Sequence, residues 1–140
     1  MSDLPPSNDI AARYAAWLMR RVVARGPSAA KHPGAKAIAD LLDALDASAR
    51  RQMLVNCECA SALTADEVAV TNLLAAFQLD ESAHADALVD WLARPYGHAR
   101  VRTAAEAAAA ELAALGCRLS LATRQPQSQT PPVLKIASTG

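Results

Sequence analysis

Thr64-Ala65-Asp66-Glu67-Val68-Ala69-Val70-Thr71-Asn72-Leu73-Leu74-Ala75-Ala76-Phe77 is the stretch whose reading decides the fold. A threonine followed three residues later by a glutamate fits a capping box. The Thr64 hydroxyl accepts from the third free N–H, and Glu67 reaches back to the N–H of Thr64. A helix therefore starts at Thr64 and carries Val68, Val70, Leu73, Leu74 and Phe77 into a core.

Downstream, Asp80 is placed to cap a further helix with His84 or Ala87, Leu88, Trp91 and Leu92 on its buried side. The connection at Leu79-Asp80 is short, so the two helices are neighbours in a hairpin or a sharp corner. Pro95-Tyr96-Gly97 closes that pair. A last long helix then runs from about His98 to Leu115 and stops at Gly116. Its alanines, Ala104, Ala105 and Ala107 to Ala110, present little bulk, which lets another backbone approach closely.

Upstream, Ser7, Asn8 or Asp9 can cap a first helix. Ile10, Tyr14, Trp17, Leu18 and Val22 follow the spacing of one buried stripe, and Gly26-Pro27 ends it. After the break at His32-Pro33-Gly34, Ile38, Leu41, Leu42 and Leu45 mark a second helix. Asp46 caps a short third one over Arg50 to Val55 that runs into Cys57, unless the second and third are one bent element. The expected fold class is all-α, a compact bundle of five or six helices. Residues 1–7 form a disordered lead, residues 8–122 a single helical domain, and residues 123–140 a flexible Pro/Gln-rich tail, with 133–137 as a segment able to dock.

Composition agrees with a helical domain of ordinary size. Alanine supplies 34 of the 140 residues, and arginine outnumbers lysine 11 to 3, as a GC-rich bacterial genome would also produce. Alanine is the best helix former and loses no side-chain entropy on ordering. The formal charge is zero, yet residues 1–36 carry +4, residues 37–93 carry −8 and residues 94–140 carry +4. Opposite-sign segments can pack against each other within one chain or across a homodimer. No stretch approaches the roughly 18 apolar residues needed to span a bilayer, and Met1-Ser2-Asp3 does not open a signal peptide. The expected address is cytoplasmic, with reduced thiols and no membrane partner.

Chemistry begins at Cys57-Glu58-Cys59. A zinc site takes four N or S ligands, so this pair supplies half of one, with Cys117 or His84 as the candidate third ligand. Residues two apart on a helix point about 200° from each other, so the thiols converge only if 57–59 is an irregular turn. A redox role needs an exposed, low-pKa thiolate, which the charge of Glu58 opposes. Otherwise one cysteine is a small core residue and the other incidental.

The remaining candidates have plainer readings. His84, three residues after Glu81, reads as a partly buried, hydrogen-bonded helix histidine, and His98 as a helix-start surface residue. Asp86 and Asp90 share a face that could hold a metal, but Asp90–Arg94, Asp46–Arg50 and Asp9–Arg13 have the acid-before-base spacing of surface pairs. Arg20, Arg21 and Arg25 suit the macrodipole at a helix C-terminus. A helix-turn-helix over 47–77 would start its recognition helix with Ala65-Asp66-Glu67, which repels phosphates, so nucleic acid is a poor partner. No Gly-rich phosphate loop, nucleophile elbow or His-Glu-x-x-His motif occurs, and no cofactor or catalytic residue is indicated. The expectation is a small non-catalytic helical interaction or regulatory protein with a protein partner or itself. The alternatives are a thiol-based metal-binding or redox-responsive protein using Cys57 and Cys59, and a nucleic-acid-binding regulator.

Overall fold

The structure is a computed structural model that describes residues 10–26 and 31–121. Among these residues five α-helices pack around one core: α1 (Ile10–Arg25), α2 (Ala35–Ser48), α3 (Ala65–Gln78), α4 (Ser82–Leu92) and α5 (His98–Ala114), with a 3-10 turn at Pro95–Gly97 before α5. The lead 1–7, the tail 123–140, the caps at Ser7 to Asp9 and the Asp9–Arg13 pair lie outside the described residues.

α3 is the central element. Its residues are buried over all of 69–76, and it packs against α1, α4 and α5. The capping box is present: Glu67 N–H donates to Thr64 Oγ1 at 3.0 Å, and Thr64 N–H donates to Glu67 Oε1 at 2.9 Å. α2 meets α5 most extensively, where Ala105, Ala108 and Ala109 are buried and allow close approach. Ile38, Leu41, Leu45, Leu73, Leu74 and Leu112 fill the space between these helices, each almost completely buried.

Three expectations need correction. No helix forms over Arg50 to Val55, because α2 ends at Ser48 and Ala49 turns to extended backbone. Ala49 and Ala93 make an antiparallel bridge, with Arg94 N–H donating to Ser48 O at 2.7 Å and Arg50 N–H to Leu92 O at 3.3 Å. The C-termini of α2 and α4 satisfy each other's carbonyls there, which removes the need for a further helical turn. Beside this junction the backbone of Gly97 lies against Ser48, where a Cβ on residue 97 would fall on the serine side chain.

Asp80 does not cap α4. It takes a left-handed conformation (φ 58°), and the helix begins only after Glu81. α4 is consequently rotated, so that Ala85, Val89 and Leu92 face the core while His84 and Ala87 are exposed. α1 differs in the same way: it buries Ala15, Ala16, Leu18, Met19 and Arg20, whereas Ile10 is exposed. Apolar side chains flank α1 on two sides, Ile10 and Trp17 on one and Met19 and Val23 on the other, so several rotations are nearly equally apolar, and the choice rests on what the neighbours offer Arg20.

Candidate functional site

Residues 49–64 connect α2 to α3 without a helix, and charged side chains hold them in place. Arg20, near the end of α1, turns inward and is 6% exposed. Its Nε donates to Glu67 Oε2 at 2.9 Å and its Nη2 to Glu67 Oε1 at 3.0 Å, a bidentate pair. The remaining donors go to the connection itself: Nη1 to Ala60 O at 3.0 Å and Nη2 to Ala62 O at 3.1 Å. Glu67 also accepts from the N–H of Asn56 at 3.0 Å. Burial pushes the Glu67 carboxyl up, but the hydrogen bonds from Arg20, Thr64 and Asn56, with the charge of Arg20, outweigh it and hold it below its ordinary value.

Further anchors follow along the connection. Asp66 accepts from Leu54 N–H at 2.8 Å and from Arg51 Nη2 at 2.6 Å, while Thr64 Oγ1 donates to Leu54 O at 2.6 Å. Arg51 also lies over the Trp91 ring at 4.1 Å. Leu54 and Asn56 thus direct their N–H groups toward the first turn of α3, and that alternation is the two-residue period of extended chain.

At 57–60 the chain turns, with Ala60 N–H donating to Cys57 O at 3.1 Å. The turn brings the two thiols together: Cys57 Sγ and Cys59 Sγ are 2.8 Å apart, and both residues are exposed. Cys57 is held below its ordinary thiol value, first by the hydrogen bond from the Cys59 thiol and then by the backbone N–H of Cys59; burial opposes, and the N–H groups of Ala60 and Cys57 add to the lowering. Cys59 is pushed up as the donor of that bond and by the negative charge of Cys57, with Arg20 pulling the other way. The two thiols are therefore unequal, with the shared proton favoured on Cys59.

Glu58 was expected to oppose a thiolate. It lies against the basic end of α1, with Oε1 3.1 Å from Arg21 Nη1 and Oε2 3.6 Å from Arg25 Nε, so its charge is partly offset. Arg21 lies over the Trp17 ring at 5.0 Å, and His32 meets the same ring edge-on at 5.0 Å. The three arginines read from sequence as partners of the macrodipole are thus the anchors of the cysteine turn.

The other singled-out residues lie elsewhere. Cys117 follows the end of α5, where its N–H donates to Leu112 O at 2.8 Å and its carbonyl accepts from Gln78 Nε2 at 3.0 Å. His84 is exposed on α4, and His98 places Nε2 2.9 Å from Ala93 O and 3.7 Å from Asp90. Among the described residues no group of three His, Cys, Asp or Glu side chains is placed to hold a metal ion, so neither Cys117 nor His84 joins the pair. Asp86 pairs with Arg102, and Asp90 pairs with Arg50 at 2.9 Å rather than with Arg94, because Arg50 and Arg94 both lie beyond their helix ends. Sequence reasoning missed Arg20 and Glu67 as a unit. The available signal was the opposite charge of the segments that contain them. No model of a known protein family, no curated protein and no solved structure matches this chain.

Proposed function

We propose that this chain is a small helical protein that works through reversible thiol–disulfide exchange at Cys57 and Cys59. The observation that carries the reading is the pair of exposed sulfurs 2.8 Å apart on a turn pinned by Arg20. A disulfide bond is about 2.05 Å long, so closure needs only a small movement of the turn. The Cys57 thiolate attacks one sulfur of a disulfide on a partner and displaces the other as a thiolate, forming a mixed disulfide. Cys59 then loses its proton to solvent and attacks Cys57 Sγ, releasing the second partner thiolate. The partner's disulfide gains two electrons, and the two cysteines lose them. The bundle is the rigid scaffold that holds the turn and contributes no further reacting group.

Glutathione disulfide is a direct probe. Reduced wild-type protein should end as an intramolecular disulfide without retained glutathione, the Cys59→Ser variant should trap a glutathione adduct on Cys57, and Cys57→Ser should react slowest. Equal reactivity of the two single variants, with no intramolecular disulfide in the wild type, contradicts the reading.

A second reading, association with a protein partner or a second copy, is favoured by the shallow groove between α2 and α5. Ala37, Ala99, Ala104 and Ala107 line it, with Lys36, Asp40, Arg100 and Glu111 beside them. Native mass spectrometry at micromolar concentration tests it, since a strictly monomeric chain that captures no partner counts against it.

A further inference from the structure

The chain before the cysteine turn has one satisfied edge and one open edge. Leu54 N–H, Leu54 C=O and Asn56 N–H are all bound by Asp66, Thr64 and Glu67 at the start of α3. In extended chain the N–H and C=O of one residue point to the same side, and those of the next residue to the other. Met53 and Val55 therefore present their backbone groups away from α3, and neither makes a hydrogen bond among the described residues. That open edge borders a groove lined by Val22 and Val23 of α1, by Leu42, Asp43 and Asp46 of α2, and by residues 52–55 themselves. Val23 and Leu54 are 60% and 62% exposed there. Asp43 and Asp46 are exposed and have no ion-pair partner among the described residues.

We infer that this edge receives residues Val133 to Ile136 of the same chain as an added strand. Val-Leu-Lys-Ile is the apolar, β-favouring run beyond Leu121, and Pro131-Pro132 before it supplies no N–H that would need a partner. Leu134 and Ile136, two apart, share a face that covers Val22, Val23 and Leu42. Lys135 brings a positive charge to a rim whose acids have no ion-pair partner among the described residues. The tether reaches: Leu119 N–H is bound to Gln78 Oε1 at the C-terminal end of α3, whereas the groove lies near its N-terminal end. A 14-residue helix is about 21 Å long, and the eleven residues 122–132 extend to roughly 36 Å. Strand addition to an open edge draws its affinity from main-chain hydrogen bonds and its register from alternate side chains.

This inference stands apart from thiol exchange, because it is read in backbone amides rather than in sulfur chemistry. The experiment is amide hydrogen exchange of the full-length reduced chain against the full-length Leu134→Asp/Ile136→Asp variant, whose changes lie outside the helical core. The Met53 and Val55 amides should be slowed by about tenfold or more in the wild type, independently of protein concentration, and should lose that protection in the variant. Lys135→Glu should lose part of it. Equal exchange in wild type and double variant overturns the inference, as does protection that grows with concentration, which would mean that the edge pairs with a second copy.

Discussion

Arg20 and Glu67, 47 positions apart, form a bidentate ion pair at 2.9 and 3.0 Å with side-chain exposures of 7% and 0%. The pair does three things at once. It fixes the rotation of α1, starts α3 through the capping box, and carries the carbonyls of Ala60 and Ala62 that hold the cysteine turn.

Breaking one member should cost far more than the pair contributes. Glu67→Gln leaves a buried guanidinium without its countercharge, an effect of about 3–5 kcal/mol. Urea denaturation should show that loss. Arg20→Met/Glu67→Leu should recover part of it, since a buried pair can be replaced by apolar groups at little cost, yet it should still loosen residues 56–64.

Acid should weaken the protein through the same group. Glu67 titrates lower when folded than its ordinary value of 4.5. Its contribution is therefore complete above that ordinary value and is lost as pH falls through the lower, folded one. Thermal melting between neutral pH and pH 3 should show the wild-type melting temperature falling below about pH 4.5, with a shallower acid dependence in Arg20→Met/Glu67→Leu.

The charge of Glu58 should restrain the Cys57 thiolate even while Arg21 and Arg25 partly offset it. Glu58→Gln removes a negative charge beside the sulfurs and leaves both cations in place. The rate of iodoacetamide alkylation at Cys57 near neutral pH should rise by a few-fold, about two to five. An unchanged or slower rate would show that the Arg21–Glu58 contact matters for placing the turn rather than for its electrostatics.

At the α2–α4 junction, Gly97→Ala places a methyl on Ser48, and the backbone must shift to admit it. A loss of about 1–3 kcal/mol is expected in denaturant unfolding. Ser48→Gly in the same chain should relieve the clash and return part of that loss, although glycine near the end of α2 has its own cost.

Helix positions were legible wherever a local device set them. Thr64 and Glu67 mark the start of α3 because both hydrogen bonds of the capping box close within four residues. Gly34 and Gly116 take left-handed conformations at helix ends. The third helix expected over Arg50 to Val55 is absent because the chain leaves α2 as extended backbone, with Arg50 N–H bound to Leu92 O and Ser48 O bound by Arg94 N–H, more than forty positions away. The faces of α1 and α4 differ from those expected because apolar residues run round much of each helix and make several rotations nearly equal in apolar burial.

The sequence by itself determined an all-α chain, the start of its central helix, and the need for a turn if Cys57 and Cys59 were ever to meet. It also determined that the segment containing Arg20 and the segment containing Glu67 carry opposite charge. Only the tertiary structure decided that Arg20 points inward, that Glu58 pairs with Arg21 and Arg25, and that the two sulfurs converge. Periodicity and caps are set by neighbours a few residues apart. The partner of a buried charge is chosen by how whole helices rotate against one another, and no local pattern encodes that rotation when apolar residues run round much of a helix.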